Sequence, residues 1–232
     1  YTENGDIGTA TNSNFTNMTF ETSVNIAESC TFINIDLMEH IGNSIEESDS
    51  NYYGAICNQA KGSCTFTNIE GYAYVDASVN IIQNSSIGGI IGAVNVGSTI
   101  TFKDIGNITL VVTGDEGGSS ILESNIGGLI GLASGLKDNI SKISVNNKIS
   151  GVKVTVNSVK SFNVGGLIGK LDGATLNNKD VSNNAISETP TSLTIDTESA
   201  TGKSYYGGIV GYANNSTIQY VSARCKVENP YN

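Results

Sequence analysis

One six-residue block recurs along this chain at a near-constant step, and no other feature restricts the fold as strongly. Ile87-Gly88-Gly89-Ile90-Ile91-Gly92 returns as Ile126-Gly127-Gly128-Leu129-Ile130-Gly131 and as Val164-Gly165-Gly166-Leu167-Ile168-Gly169. It returns again as Tyr206-Gly207-Gly208-Ile209-Val210-Gly211, and a degenerate copy, Tyr53-Gly54-Ala55-Ile56-Cys57-Asn58, precedes them all. The copies start at 53, 87, 126, 164 and 206, so the steps are 34, 39, 38 and 42 residues. A lone glycine pattern means little; five at one step mark a repeat array.

A second block follows each glycine block. Ser63-Cys64-Thr65-Phe66-Thr67-Asn68-Ile69 aligns with Thr99-Ile100-Thr101-Phe102-Lys103-Asp104-Ile105, and an orphan copy, Ser29-Cys30-Thr31-Phe32-Ile33-Asn34-Ile35, lies upstream. Aligning Asn139–Val145, Thr175–Val181 and Thr217–Ala223 with these gives an apolar column of Cys30, Cys64, Ile100, Ile140, Leu176 and Ile218. A small polar column, Asn34, Asn68, Asp104, Ser144, Asp180 and Ser222, lies four residues on.

The local pattern is that of strands. Ile108–Val112, Val152–Val156 and Leu193–Asp196 are rich in β-branched residues and alternate apolar with polar. Asn, Asp, Gly and Ser punctuate them at turn positions. Helical periodicity is nearly absent; its one candidate, Ile35 to Glu47, contains Gly42 and reads as a loop with at most a short helical turn. A repeat of this length holds three short strands and their turns, and it buries its apolar columns only by stacking on its neighbours. The expected fold is therefore an all-β, right-handed parallel β-solenoid, with the hand taken from the crossover rule. An antiparallel sandwich offers no reason for a repeated register. Residues 1–52 are expected to form the N-terminal part with an irregular loop over 36–52. Residues 53–227 are expected to form the five-repeat array, and 228–232 a tail expected to continue into a longer parent chain.

Composition narrows the function. The chain carries 12 basic and 22 acidic residues for a net charge of −10, with its Lys and Arg scattered. Nucleic-acid binding needs a basic footprint, so it is not expected. No apolar stretch approaches the roughly 20 residues of a membrane-spanning helix, so direct insertion is not expected either. Gly169-Lys170-Leu171 lacks the Ser or Thr and the helix of a phosphate-binding loop. His40 is the sole histidine and reads as an exposed loop residue, so a nucleophile would have no base. Carboxylates at Asp104, Asp180, Asp115, Glu116 and the Glu46, Glu47, Asp49 cluster read as turn or solvated-loop residues rather than a glycosidase pair or a calcium loop. No enzyme activity, cofactor or metal is expected.

Of the four cysteines, Cys30 and Cys64 share the apolar column, and stacked strands about 4.8 Å apart lie within disulfide range. Two readings stay open for them, a disulfide and two small buried thiols. Cys57 stands where the other copies carry Ile91, Ile130, Ile168 and Val210, as a core residue; Cys225 falls in the place of Gly71. Sequons at Asn14, Asn17, Asn84, Asn107, Asn139, Asn214 and Asn215 permit glycosylation.

The glycine blocks resemble the GLUG-motif repeat of secreted and surface proteins, most closely in the copies beginning at Gly88, Gly127, Gly165 and Gly207. They are similar, secondly, to the repeats of polymorphic membrane protein-type adhesins. The resemblance covers about residues 53–227 and implies a stalk or binding surface with no catalytic residues. The expected function is thus a structural or adhesive segment of an extracellular or cell-surface protein. Its partners would be neighbouring repeats, other copies, glycans or surface proteins. A carbohydrate-active β-helix enzyme and a filament or cytoskeletal scaffold are the alternatives. The residues expected to matter are architectural: Gly88, Gly89, Gly127, Gly128, Gly165, Gly166, Gly207 and Gly208, with Ile100, Ile140, Leu176 and Ile218.

Overall fold

A computed structural model of the chain describes residues 7–40, 52–76, 82–113, 121–149, 151–157, 160–177, 188–195 and 205–228. The described residues are all strand, turn and connection, with no helix among them. The strands fall into seven successive levels. The first is β1 (Ile7–Thr11) and β2 (Asn14–Phe20), and the second is β3 (Val24–Glu28) and β4 (Thr31–His40). The third is β5 (Tyr52–Gly54), β6 (Cys57–Lys61) and the long β7 (Ser63–Asp76). The fourth comprises β8 (Ile82–Gln83), β9 (Ser86–Gly88), β10 (Ile91–Val94), β11 (Thr99–Ile105) and β12 (Ile108–Thr113). The fifth comprises β13 (Ile121–Gly127), β14 (Ile130–Ser134), β15 (Lys142–Ile149) and β16 (Val152–Asn157). The sixth is β17 (Lys160–Gly165), β18 (Ile168–Asp172), β19 (Thr175–Asn177) and β20 (Glu188–Ile195). The seventh is β21 (Tyr205–Gly207), β22 (Val210–Asn214), β23 (Thr217–Gln219) and β24 (Ser222–Glu228).

Each strand pairs in parallel with its equivalent one level away, so the described strands form three sheets, two running through all seven levels and one from the third level on. Sheet I has the order β1-β3-β6-β10-β14-β18-β22. Sheet III runs β5-β9-β13-β17-β21, with β8 beside β13. Sheet II has eleven strands; β7 is long enough to pair with both β11 and β12, and β4 and β2 extend the sheet beyond it. A parallel sheet needs a crossover between neighbouring strands, and here the crossovers are the strands of the other two sheets. The repeat step of 34–42 residues is the chain length from a sheet I strand to its parallel partner one level on, from Cys57 to Ile91 through to Val210.

The core lies between the sheets and is filled by columns of one residue type. Val24, Cys57, Ile91, Ile130, Ile168 and Val210 stand in register along sheet I. Sheet II contributes a column of rings: Phe15 stacks on Phe32 at 4.8 Å, Phe32 on Phe66 at 5.0 Å, and Phe66 on Phe102 at 5.3 Å. These separations match the spacing of paired strands, so register alone enforces the stacking. Val145 takes the next place in the column.

Two expectations need correction. The apolar column passes through Ile143: Ile100 pairs with Ile143, and Ile143 with Leu176. Ile140 instead follows a tight turn closed by Leu136 and Asn139 and is 46% exposed. Ser144 accordingly stands beside Thr101 and not in the Asn34 column. The segment 36–52 begins as strand, since β4 runs through His40 in register with Tyr74; residues 41–51 lie outside the described set.

Candidate functional site

The glycine block is a corner. In each copy the chain leaves sheet III at the first glycine and enters sheet I two residues after the second. None of these glycines lies at positive φ, so left-handed backbone is not what selects them. Close approach is. A Cβ added at Gly88, Gly127, Gly165 or Gly207 would overlap the carbonyl oxygen three residues on. The third glycine of one level lies against the first glycine or its strand in the level below: Gly169 N is 2.6 Å from a Cβ built at Gly127, and Gly211 N is 2.7 Å from one at Gly165. The corner also bonds upward, with Leu129 N donating to Leu167 O at 2.9 Å and Leu167 N to Ile209 O at 3.0 Å. Lys170 is a surface residue, paired with Asp172 at 3.0 Å and 6.0 Å above the Tyr212 ring. Burial alone would raise the Asp172 carboxyl, but the Lys170 ammonium and the Asn214 amide outweigh it and hold it below the ordinary carboxylate value.

The degenerate copy departs from the motif where its surroundings differ. The second glycine faces a side chain across the core: Ile108 for Gly89, Val152 for Gly128, Cys225 for Gly208. At the level of Ala55 that column holds Gly71, in register with Ile108. The methyl group has moved from one side of the core to the other. Asn58 replaces the third glycine on the level where sheet III begins. With no described sheet III strand beneath it, there is room for a side chain, and its Oδ1 accepts from Gly54 N at 3.3 Å.

Polar ladders run along two of the sheets, an exposed one on sheet II and a part-buried one on sheet III. Asn17, Asn34, Asn68 and Asp104 all adopt positive φ, between 49° and 55°, in which Asn and Asp are tolerated. Asn34 Nδ2 donates to Asn17 Oδ1 at 2.7 Å, and Asn68 Nδ2 to Asn34 Oδ1 at 2.9 Å. A second ladder runs along sheet III, where Asn163 donates to Asn125 at 2.8 Å and Asn125 to Ser86 at 3.2 Å. The first ladder borders a concavity of about 310 Å³ lined also by Met18, Thr19, Asp36 and Glu70. Asp36 and Glu70 stand in register on adjacent strands. Like charges placed so oppose the pairing, and no motif in the sequence signals them. Among the described residues no three His, Cys, Asp or Glu are arranged to hold a metal. Asp180, Asp115, Glu116, Glu46, Glu47 and Asp49 lie outside the described residues, and the side chain of His40 is not described.

Cys30, Cys57 and Cys64 are buried free thiols, and Cys225 is free and exposed. Cys30 Sγ donates to Ala10 O at 3.3 Å and Cys64 Sγ to Lys61 O at 3.3 Å. Burial pushes the Cys57 thiol well up, with smaller contributions from Cys64 and Cys30; burial also raises Cys64. Because the folded values exceed the unfolded one, the stabilising effect is whole below an unfolded pKa of about 8.5 and is lost as pH rises above it. Two outcomes are expected: iodoacetamide at about pH 8 labels Cys225 alone until denaturant is added, and the urea midpoint falls as pH climbs past about 9. Peptide mass spectrometry and unfolding curves check both; prompt labelling of Cys57 in buffer would contradict the burial.

The seven sequon asparagines, Asn14, Asn17, Asn84, Asn107, Asn139, Asn214 and Asn215, are all exposed. Asn214 donates to Asp172 at 2.9 Å, and Asn17 is already engaged in its ladder. Of the predicted architectural apolar residues, Ile100 and Leu176 are fully buried, whereas Ile218, on the last level, is 44% exposed. The chain matches no family model, no curated protein and no solved structure.

Proposed function

We propose that this chain is a non-enzymatic, rigid segment of an extracellular or cell-surface protein, its levels wound as a right-handed parallel β-solenoid. The observation that carries this reading is the register. Among the described residues, equivalents stay opposite one another from level to level in all three sheets, with one shift, between Lys103 and Ile105. Outward columns therefore repeat one chemistry at the strand spacing, as in Thr31, Thr65 and Thr101, followed by Ser144. Such a face suits a ligand that is itself repetitive, and polysaccharides are the leading class. The test is retention of the purified chain on immobilised polysaccharides, with Thr65→Arg and Thr101→Arg variants alongside. The reading expects at least one polysaccharide to retain the chain, the variants to lose it, and no reducing sugar to be released. Release of sugar would replace it with a carbohydrate-active enzyme.

A scaffold of an intracellular filament is the second reading, and the free thiols favour it, because secretory compartments oxidise exposed cysteines such as Cys225. Mass spectrometry of the native protein separates the two. Sugar on any of the seven sequons excludes the scaffold; bare sequons with a reduced Cys225 exclude the secreted segment.

A further inference from the structure

The outer face of sheet II carries polar and aromatic side chains side by side. Asp36 and Glu70 stand in one outward column, with Thr19 before them. Gly106 lies against Glu70 with no side chain of its own, and Glu70 Oε2 is 3.1 Å from where a Cβ on it would be. Neither carboxylate has a hydrogen-bond or ion-pair partner among the described residues. Asn34 and Asn68 line the same concavity, held in place by their ladder. Two residues further along the strands comes exposed apolar surface: Met38 is 70% exposed, and Tyr72, its register partner, 43%. The Tyr74 ring lies beside that of Tyr72, with centroids 6.4 Å apart and planes 9° from parallel. A level added at either end of the stack extends the sheet edge and leaves this face open.

We propose that this concavity and the tyrosine face beside it bind a polysaccharide whose sugars carry free amines; the inference rests on the polysaccharide-binding reading of this chain and names the class. The carboxylates select for charge. Two unpartnered carboxylates on adjacent strands repel, and a ligand ammonium between them removes that repulsion while donating charge-assisted hydrogen bonds. The net charge of −10 adds long-range attraction for a polycation and repels uronate and sulfate polymers. Lys103 and Lys153, on the fourth and fifth levels of this sheet, do not line the concavity. The tyrosines select for sugar. An exposed ring takes the C–H face of a pyranose against its own face and also attracts an adjacent ammonium. The asparagine amides offer the ring hydroxyls both donors and acceptors. An amine-bearing sugar chain presents all three chemistries at every unit, so it meets the carboxylates and the rings together.

Titration calorimetry of the full chain at about pH 5.5, where Asp and Glu are ionised and sugar amines protonated, tests the proposal. The probes are soluble glucosamine oligomers and N-acetylglucosamine oligomers of the same length. The free-amine oligomer is expected to bind about tenfold or more tightly than the acetylated one. Asp36→Asn combined with Glu70→Gln should abolish that preference. Tyr72→Ala should weaken both oligomers by about fivefold. Asp172→Asn, which removes a surface acid on sheet I, should change neither. Thermal unfolding establishes that the variants fold. The double variant should melt no lower than wild type, because the carboxylates it removes have no partner to lose. Equal binding of the two oligomers overturns the proposal. So do a preference that survives the double variant, full binding by Tyr72→Ala, or a lysine oligomer of equal charge that binds as tightly as the glucosamine oligomer. Each of these leaves the Thr65→Arg and Thr101→Arg test standing, whereas failure of every polysaccharide, neutral or basic, sinks both readings.

Discussion

Replacing Gly127 with alanine is expected to cost about 3 kcal/mol or more, a large fraction of the stability of a domain. The added methyl would overlap the carbonyl oxygen of Ile130 and approach Gly169 N at 2.6 Å and Ile130 C at 2.9 Å. All of these are backbone atoms, and they belong to two successive levels, so no side chain can swing aside to relieve the overlap. The backbone would have to move in a place where hydrogen bonds tie each corner to the next. The same substitution at Gly8 meets nothing within 4 Å and serves as the control. There, loss of unfolded-state freedom should leave stability unchanged or raise it by about half a kcal/mol. Urea unfolding monitored by circular dichroism gives both numbers. A Gly127→Ala midpoint equal to that of wild type would show that the corner is not packed as described.

That interlock also explains how much of the fold the sequence revealed. A glycine required by a neighbouring backbone recurs wherever the neighbour recurs, so the motif announced both the repeat and its step. The side-chain columns were legible for the same reason, since parallel pairing that keeps its register over each strand run turns alignment into register. Errors arose where the chain inserts residues before a strand. Ile140 and Ile143 are both apolar and three apart, and matching Ile140 to Ile100 put Lys142 in the place of Phe102. Alternation decides between them: Ile143-Ser144-Val145 reproduces Ile100-Thr101-Phe102, buried, outward, buried, and the structure follows it.

The first level was hidden for a different reason. Asn17 and Asn34 are 17 residues apart, and Asn34 and Asn68 are 34 apart, so the N-terminal step is half the later one. β1 and β2 pass from sheet I to sheet II with no described strand in sheet III, and the described turn between β2 and β3 carries no glycine corner. The signal available was the short string Phe15-Thr16-Asn17, which repeats Phe32-Ile33-Asn34 and Phe66-Thr67-Asn68. Asp36 and Glu70 lacked even that. Their proximity follows from register alone, and each reads in isolation as an ordinary charge on a strand's outer face.

The ring column gives the second large effect. Phe66 is fully buried between Phe32 at 5.0 Å and Phe102 at 5.3 Å, each of which is fully buried in turn. Truncation to alanine removes both ring contacts and leaves a void whose ceiling and floor are held apart by paired strands. Collapse, which softens such changes elsewhere, is blocked. The expected cost is at the upper end of about 3–5 kcal/mol for a buried phenylalanine. Phe15 sits at the end of the same column, only partly buried, with Phe32 above it at 4.8 Å. Phe15→Ala opens towards solvent, which fills the space at no cavity cost, so its effect should be about half as large. Equilibrium urea unfolding of the two variants compares them directly. If Phe66→Ala cost no more than Phe15→Ala, the rings would be neighbours without mutual support, and register rather than packing would hold the levels together.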